Sequence, residues 1–345
     1  MRVAVLGATG VVGREMLRTL AERRFPADEV VALASPRSEG AQVPFAGERL
    51  TVRRVADEAF EGVDIALFSP GATASREWAP RATAAGATVV DNSSAFRMEP
   101  DVPLVIPEVN GDALEGHRGI VANPNCTAIT ALMAVAPLHR AAGLQRMVIS
   151  SYQSVSGAGQ RGIDELIEQV DKIGDRQHEL ARPDADALPA GDVFGVPIAY
   201  NVIPRGGPFE ADGWTGEEAK LRQESRKILS MPDLPVAATV VRVPVVVGHS
   251  TSILVELRDE LTPQAARDLL GASPGIEVVD DPERDRFPTP IAAAGRDEVL
   301  VGRIRPGDLP RSLLLFASAD NLRKGAALNA VQIAERLSAS RASRP

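Results

Sequence analysis

Apolar positions in the first third of the chain gather in short runs separated by stretches of helical spacing. Residues 3–6, 30–34, 63–68 and 88–90 are β-rich runs, and the last stops at Asp91-Asn92-Ser93-Ser94. Between them, residues 10–24 carry apolar side chains at helical intervals and halt at Phe25-Pro26, while 72–85 reads as a helix closed by Gly86. Strands alternating with helices predict βαβ crossovers, hence an α/β, Rossmann-like, doubly wound domain at the N-terminus.

Beyond residue 125 the pattern changes. Helices are predicted over 127–141, 160–173 and 217–229, and strands over 147–155, 237–247, 250–257, 276–279 and 312–318. Longer strands beside helices predict an α+β domain built on a mixed sheet. Residues 175–200, rich in Pro, Gly and Asp, predict a long loop, and 321–337 a final helix followed by a Ser/Arg/Pro tail. A chain of 345 residues exceeds one domain of roughly 100–200 residues, so two domains are expected.

Composition narrows the partners. The 38 basic and 46 acidic residues leave a net charge of −8, which opposes nucleic-acid binding. It leaves room for a small anionic substrate, because a few buried Arg or Lys residues can reverse the local potential. No apolar run approaches the roughly 20 residues that span a bilayer, and the N-terminal run is too short for a secretory signal, so a cytoplasmic protein is expected. Cys126 is the only cysteine, which excludes an intramolecular disulfide and a cysteine metal cage. The four histidines lack metal-ligand spacing, so no metal site is expected.

Two segments carry chemistry in their setting. Gly7-Ala8-Thr9-Gly10-Val11-Val12-Gly13 follows the first strand and opens the first helix. There a pyrophosphate can approach backbone N–H groups at a helix N-terminus, provided that no side chain intervenes. The spacing is G-x-x-G-x-x-G, which departs from G-x-G-x-x-G; a tight turn without a ligand is the alternative. The second strand ends in Ala34-Ser35-Pro36-Arg37-Ser38, where Arg37 and Ser38 suit a ribose 2′-phosphate, so NADP is expected over NAD; a solvated Arg37 is the alternative. The other segment is Asn123-Pro124-Asn125-Cys126-Thr127, in which Asn125 caps a helix and Cys126 falls in its first turn. That placement favours a thiolate and offers N–H groups to an oxyanion, against the alternative of a small buried hydrophobe. Of the histidines, His249 follows an apolar strand and a glycine, where a strand delivers a side chain to a cleft; His117, His139 and His178 read as surface residues.

With those residues in view, the chain resembles the aspartate-β-semialdehyde dehydrogenase family. The matching runs are the glycine turn, Asn92-Ser93-Ser94-Ala95-Phe96-Arg97, Asn123–Thr127, Ser151-Tyr152-Gln153-Ser154-Val155-Ser156-Gly157, Glu217-Glu218-Ala219-Lys220, Arg242-Val243-Pro244-Val245 through Gly248-His249, and Asp320-Asn321-Leu322-Arg323-Lys324-Gly325. They cover nearly the whole chain in order; residues 175–200 carry none.

The resemblance implies reversible interconversion of 4-phospho-L-aspartate with L-aspartate 4-semialdehyde, phosphate and NADP, on the route to lysine, threonine, methionine and isoleucine. It implies Cys126 as nucleophile, His249 as acid and base, and Gln153 as the group orienting the reacting atoms. Arg97 and Lys220 would hold phosphate, Arg242 the α-carboxylate, and Glu217 the ammonium, with Glu218 as the alternative. Gly7, Thr9, Gly10, Val11, Val12, Gly13, Arg37, Ser38, Ser156, Gly157 and Asn321 would meet the cofactor. Lys220 reads equally as part of a solvated helix face, paired i,i+3 with Glu217. Arg242, at an apolar strand, would be costly to bury without an anion. Residues 1–125 plus 319–345 are expected to form the NADP-binding domain and 126–318 the catalytic and dimerisation domain of a homodimer. The alternatives are an N-acetyl-γ-glutamyl-phosphate reductase and a catalytically silent homologue.

Overall fold

The computed structural model describes residues 1–181, 188 and 190–342. The chain begins β1 (Arg2–Leu6), α1 (Val11–Glu22), β2 (Glu29–Ala34), a hairpin of β3 (Gln42–Phe45) and β4 (Glu48–Thr51), β5 (Arg53–Arg54), β6 (Ile65–Phe68), α2 (Ala72–Ala84), β7 (Thr88–Asp91), α3 (Pro107–Asn110) and β8 (Ile120–Ala122). Six of these strands form one parallel sheet in the order β5-β2-β1-β6-β7-β8. Side chains alternate across it: Val3 and Val5 pack with Met16, Leu17 and Leu20 of α1, while Ala4 and Leu6 pack with Phe60, Phe68, Ala79 and Ala82. The strand order reverses beside β1, and this opens a crevice at the carboxyl ends of the strands, where open α/β sheets bind ligands.

The second half runs α4 (Cys126–Ala142), β9 (Leu144–Gln153), α5 (Gln160–Ile173), α6 (Gly216–Ile228), β10 (Val236–Arg242), β11 (His249–Leu257), α7 (Pro263–Gly271), β12 (Ile276–Val278), α8 (Pro290–Ala293), β13 (Val299–Pro306), β14 (Ser312–Ala319) and α9 (Leu328–Ala342). Its sheet is mixed, in the order β10-β9-β11-β14-β13-β12, with β10 parallel to β9 and β11 antiparallel to both β9 and β14. Helix α4 is apolar along nearly its whole length and lies buried against this sheet, as a helix without a polar face must. Helix α9 packs back onto the first sheet, where Ala330, Val331, Ile333 and Ala334 join the cluster around Val3 and Val5.

Several elements differ from the sequence expectation. The strand expected over 237–247 ends at Arg242; residues 243–248 instead cross the end of β9, where Val155 N donates to Val245 O at 2.9 Å. Strand β13 was not anticipated, because a bulge between Gly302 and Arg305 breaks its alternation. Helix α7 was also not anticipated, although Thr262 caps it and Pro263 opens it. The helix expected over 321–337 begins with a π-helical turn at Arg323–Ala327 and continues to Ala342. In the segment expected to be a loop, Gly174–Ala181 forms a 3-10 turn, and Ile198 and Ala199 pack against α5. Residues 182–187 and 189 of that segment, and 343–345 of the expected tail, lie outside the described residues.

Candidate active site

The glycine turn is shaped by close backbone approach. Gly7 has φ +89°, and a Cβ there would stand 2.6 Å from Ser69 O; a Cβ on Gly13 would stand 2.1 Å from Gly7 O. Only glycine at both positions lets α1 start tight against β1. Gly10 brings no side-chain cap, so the first-turn N–H groups of α1 stay open for an anion. Arg37 and Ser38 sit on a 3-10 turn at the end of β2, where Ser38 Oγ accepts from Thr9 Oγ1 at 3.3 Å. These residues are beside the turn but do not line the cleft described next.

One cleft at the carboxyl ends of the first sheet is lined by Val12 of α1 together with Arg97, Cys126, Gln153, Ser156, Gly157, Glu217, Lys220, Arg242, His249 and Asn321. Cys126 is the first residue of α4, and Asn125 Oδ1 accepts from Thr127 N at 2.9 Å, so the cap holds the cysteine at the helix start. Gln153 closes β9, His249 opens β11, and the register Arg242↔Gln153 sets the arginine beside the glutamine. A Cβ on Gly157 would stand 2.9 Å from Arg242 Nη1 and 3.1 Å from His249 Nε2, so this glycine leaves both side chains open to the cleft. Gln153 Nε2 donates to Thr127 Oγ1 at 2.7 Å, while Gln153 Oε1 and His249 Nε2 are buried without a protein partner. Buried polar atoms left unpaired at a cleft wall are suited to a reacting group.

The charged residues are held from several elements. Lys220 Nζ lies 2.6 Å from Glu217 Oε1, and Asn125 Nδ2 donates to Glu217 Oε2 at 2.8 Å. Glu217 therefore faces the cleft. Glu218 is used elsewhere, in the capping box with Thr215 and in accepting from Val240 N at 3.0 Å. Arg97 is 7 % exposed; it donates to Asn123 O at 2.9 Å and to Asn92 O at 2.9 Å, and its Nη1 lies 3.0 Å from Glu224 Oε1. Glu224 is fully buried and its other oxygen accepts from Asn125 N at 2.6 Å. It joins Arg97 to the cap of the cysteine helix. The sequence reading missed Glu224, although it stands one heptad after Glu217 on the same face of α6. Ser154 was also missed; it packs against His249 and Asn321.

Burial controls protonation. Desolvation, and then the Glu217 carboxylate, push the Cys126 thiol up to about 11 against the pull of Arg242, Arg97 and the Thr127 N–H. Desolvation, and then Arg242, push His249 down to about 3 despite Glu217. Burial raises Glu217, but Lys220, Arg242 and Asn125 outweigh it and hold the carboxyl below its ordinary value. Both shifts favour the uncharged forms, a thiol at Cys126 and a neutral imidazole at His249. Iodoacetamide labelling of Cys126 is expected to rise about tenfold per pH unit toward about 11. A labelling plateau near neutral pH would refute this.

Among the described residues, no helix is long and apolar enough to cross a membrane, and no group of three or more His, Cys, Asp or Glu could hold a metal ion. Residues 2–117 match the family model described as semialdehyde dehydrogenase, NAD binding domain, and residues 135–324 match semialdehyde dehydrogenase, dimerisation domain. The chain is 50 % identical to the aspartate-semialdehyde dehydrogenase of Corynebacterium melassecola, covering 97 % of this chain and 98 % of that one. It is 47 % identical to that of Aquifex aeolicus, covering 97 % of each. The crystal structure of aspartate semialdehyde dehydrogenase II from Vibrio cholerae superposes with a TM-score of 0.91 at 43 % identity, covering 98 % of each chain. Matched by both domain models and similar over nearly its whole length to these enzymes, the chain belongs to the aspartate-semialdehyde dehydrogenase family of oxidoreductases.

Proposed function

We propose that the protein interconverts 4-phospho-L-aspartate and L-aspartate 4-semialdehyde with NADP, through a thioester on Cys126, in amino-acid biosynthesis leading to lysine, threonine, methionine and isoleucine. The observation that carries this is the convergence of a capped helix-start cysteine, an open imidazole nitrogen and both signs of charge on one cleft. In the biosynthetic direction Cys126 Sγ attacks the acyl carbon, phosphate leaves, and the acyl group remains on sulfur. His249 Nε2 exchanges protons with the reacting atoms, and Gln153 Oε1 orients them. The chemistry supplied by the bound dinucleotide is hydride transfer to or from the carbon carried on Cys126.

The substrate is a zwitterion bearing a phosphate, and the cleft charges match it group by group. Arg242 takes the α-carboxylate, because a guanidinium forks onto two oxygens. Arg97 keeps unused N–H donors beyond those bonded to Asn92, Asn123 and Glu224, and these serve phosphate together with Lys220. Glu217 takes the ammonium, in competition with Lys220. Gly7, Thr9, Gly10, Val11, Val12 and Gly13 cradle the pyrophosphate. Arg37 and Ser38 take the 2′-phosphate of NADP, and Ser156, Gly157 and Asn321 bound the cofactor at the cleft. Residues 1–125 and 319–345 make up the cofactor domain, and 126–318 the catalytic one.

The protein acts as a homodimer through the second sheet. The matched dimerisation domain supports this, as do the exposed apolar side chains of Val148, Tyr152, Ile167, Val170 and Val202 on that half.

The deciding assay follows dinucleotide reduction in the presence of phosphate. It is expected to proceed with aspartate semialdehyde and NADP, and not with N-acetylglutamate semialdehyde. Activity only with the acetylated aldehyde would overturn the substrate assignment and the role given to Glu217. A preference for NAD would remove the role given to Arg37.

A further inference from the structure

We propose that Ser154 is a positioning residue that sets the tautomer of His249: its hydroxyl, oriented by Asn321, allows Nδ1 to carry a proton and so frees Nε2 to accept one at the reacting atoms. This deepens the reading of His249 as acid and base and rests on it.

Gly248 N donates to Asn321 Oδ1 at 2.9 Å. A backbone N–H cannot accept, so this bond fixes which end of the amide faces the serine. Ser154 Oγ stands 3.0 Å from the same Oδ1, which can only accept, and 3.1 Å from Ser156 Oγ, which already receives a proton from Asn321 Nδ2; we take the hydroxyl proton as directed at Oδ1. The lone pairs of Ser154 Oγ are left facing His249 Nδ1 at 3.0 Å. Asn321 Nδ2 completes the cluster by donating to Ser156 Oγ at 2.9 Å. Asn321 and Ser154 are both almost wholly buried, which protects these bonds from water.

A second group on the same residue opposes this. Ser154 N lies 3.1 Å from Nδ1 and donates to it, which favours a bare Nδ1 and a proton on Nε2. The two groups of Ser154 hold opposite preferences for one ring nitrogen. With the backbone N–H alone, Nε2 would keep its proton and could only donate. The hydroxyl makes the other tautomer accessible. Of the charged groups facing the ring, Arg242 from β10 disfavours an added proton and Glu217 from α6 favours it, while Cys126 offers a neutral thiol. The resting ring is neutral, so the tautomer decides whether Nε2 can act as a base.

The proton path then balances. As the S–C bond forms and the C–O bond to phosphate breaks, the thiol proton passes to Nε2. Nδ1–H donates to Ser154 Oγ, whose own proton stays directed at Asn321 Oδ1. The imidazolium afterwards gives its proton to the departing phosphate.

The test uses full-length protein with ¹⁵N-labelled imidazoles and NADP present. The expected wild-type spectrum shows a measurable Nδ1–H population for His249. Ser154→Ala is expected to collapse it to the Nε2–H form and to lower kcat about 100-fold with KM within about twofold. Ser154→Thr, which keeps the hydroxyl, should restore the wild-type spectrum and most of kcat. An unchanged spectrum in Ser154→Ala, or equal losses in the Ala and Thr variants, overturns the proposal. If Ser154→Ala does not fold, the wild-type spectrum decides alone, because the absence of any Nδ1–H population across neutral pH also overturns it. Full turnover in His249→Ala would instead overturn the acid–base reading beneath it.

Discussion

Cys126→Ala is expected to lower turnover of aspartate semialdehyde by about 10⁴–10⁶-fold, the scale of losing a covalent nucleophile, while NADP affinity stays within about twofold. The two properties separate because they reside on different elements. The dinucleotide turn belongs to β1 and α1, whereas the sulfur sits at the start of α4, capped by Asn125. The fold should tolerate the change, since alanine keeps the Cβ and favours a helix. Steady-state rates beside fluorescence titration of NADPH test this. Substantial turnover without the sulfur would refute the thioester route, and joint loss of binding would show that the site had collapsed. Cys126→Ser should rescue little, because a hydroxyl in this desolvated setting is harder still to ionise than the thiol.

Glu224→Ala is expected to cost about 3–5 kcal/mol of stability, the range for removing one partner of a buried pair. Glu224 is fully buried and Arg97 nearly so; without the carboxylate the guanidinium keeps two backbone carbonyls but no counter-charge. The N–H of Asn125 loses its acceptor in the same change, so the cap of the cysteine helix loosens as well. Denaturant midpoints give the measurement. The exposed Arg118–Asp101 pair, with side chains 77 % and 73 % accessible, is the control, and Arg118→Ala should leave the midpoint unchanged. Equal effects at both sites would show that burial does not govern the Arg97 pair. In Glu224→Gln, which keeps the shape but not the charge, KM for phosphate should rise if Arg97 binds it.

Much of this protein was legible along the chain. The parallel sheet could be read from short apolar runs alternating with helical spacing, because period and run length are local properties. The turn at Gly7 and Gly13 and the cap at Asn125 were visible for a similar reason. The approach of Gly13 to Gly7 O and the bond from Thr127 N to Asn125 Oδ1 involve residues a few positions apart, so these motifs carry their own geometry, whereas the approach of Gly7 to Ser69 O comes from the next strand over. The same reasoning failed where neighbours across the sheet set the outcome. Strand β13 hides behind its bulge, and β10 stops at Arg242 because residues 243–248 bond to the end of β9.

From its sequence alone, the chain determined its fold class and the cysteine at a helix start. Tertiary structure decided which charged residues face one another. Glu218 is set apart locally by its capping box with Thr215, whereas packing against Asn125 is what directs Glu217 to the cleft. Arg97 meets Glu224 across 127 positions, and Ser154 meets Asn321 across 167. The physical reason is that such pairs form only after the chain has closed long loops and excluded water. Periodicity and capping act within a few residues; burial and the hydrogen bonds it strengthens depend on what the rest of the chain brings near.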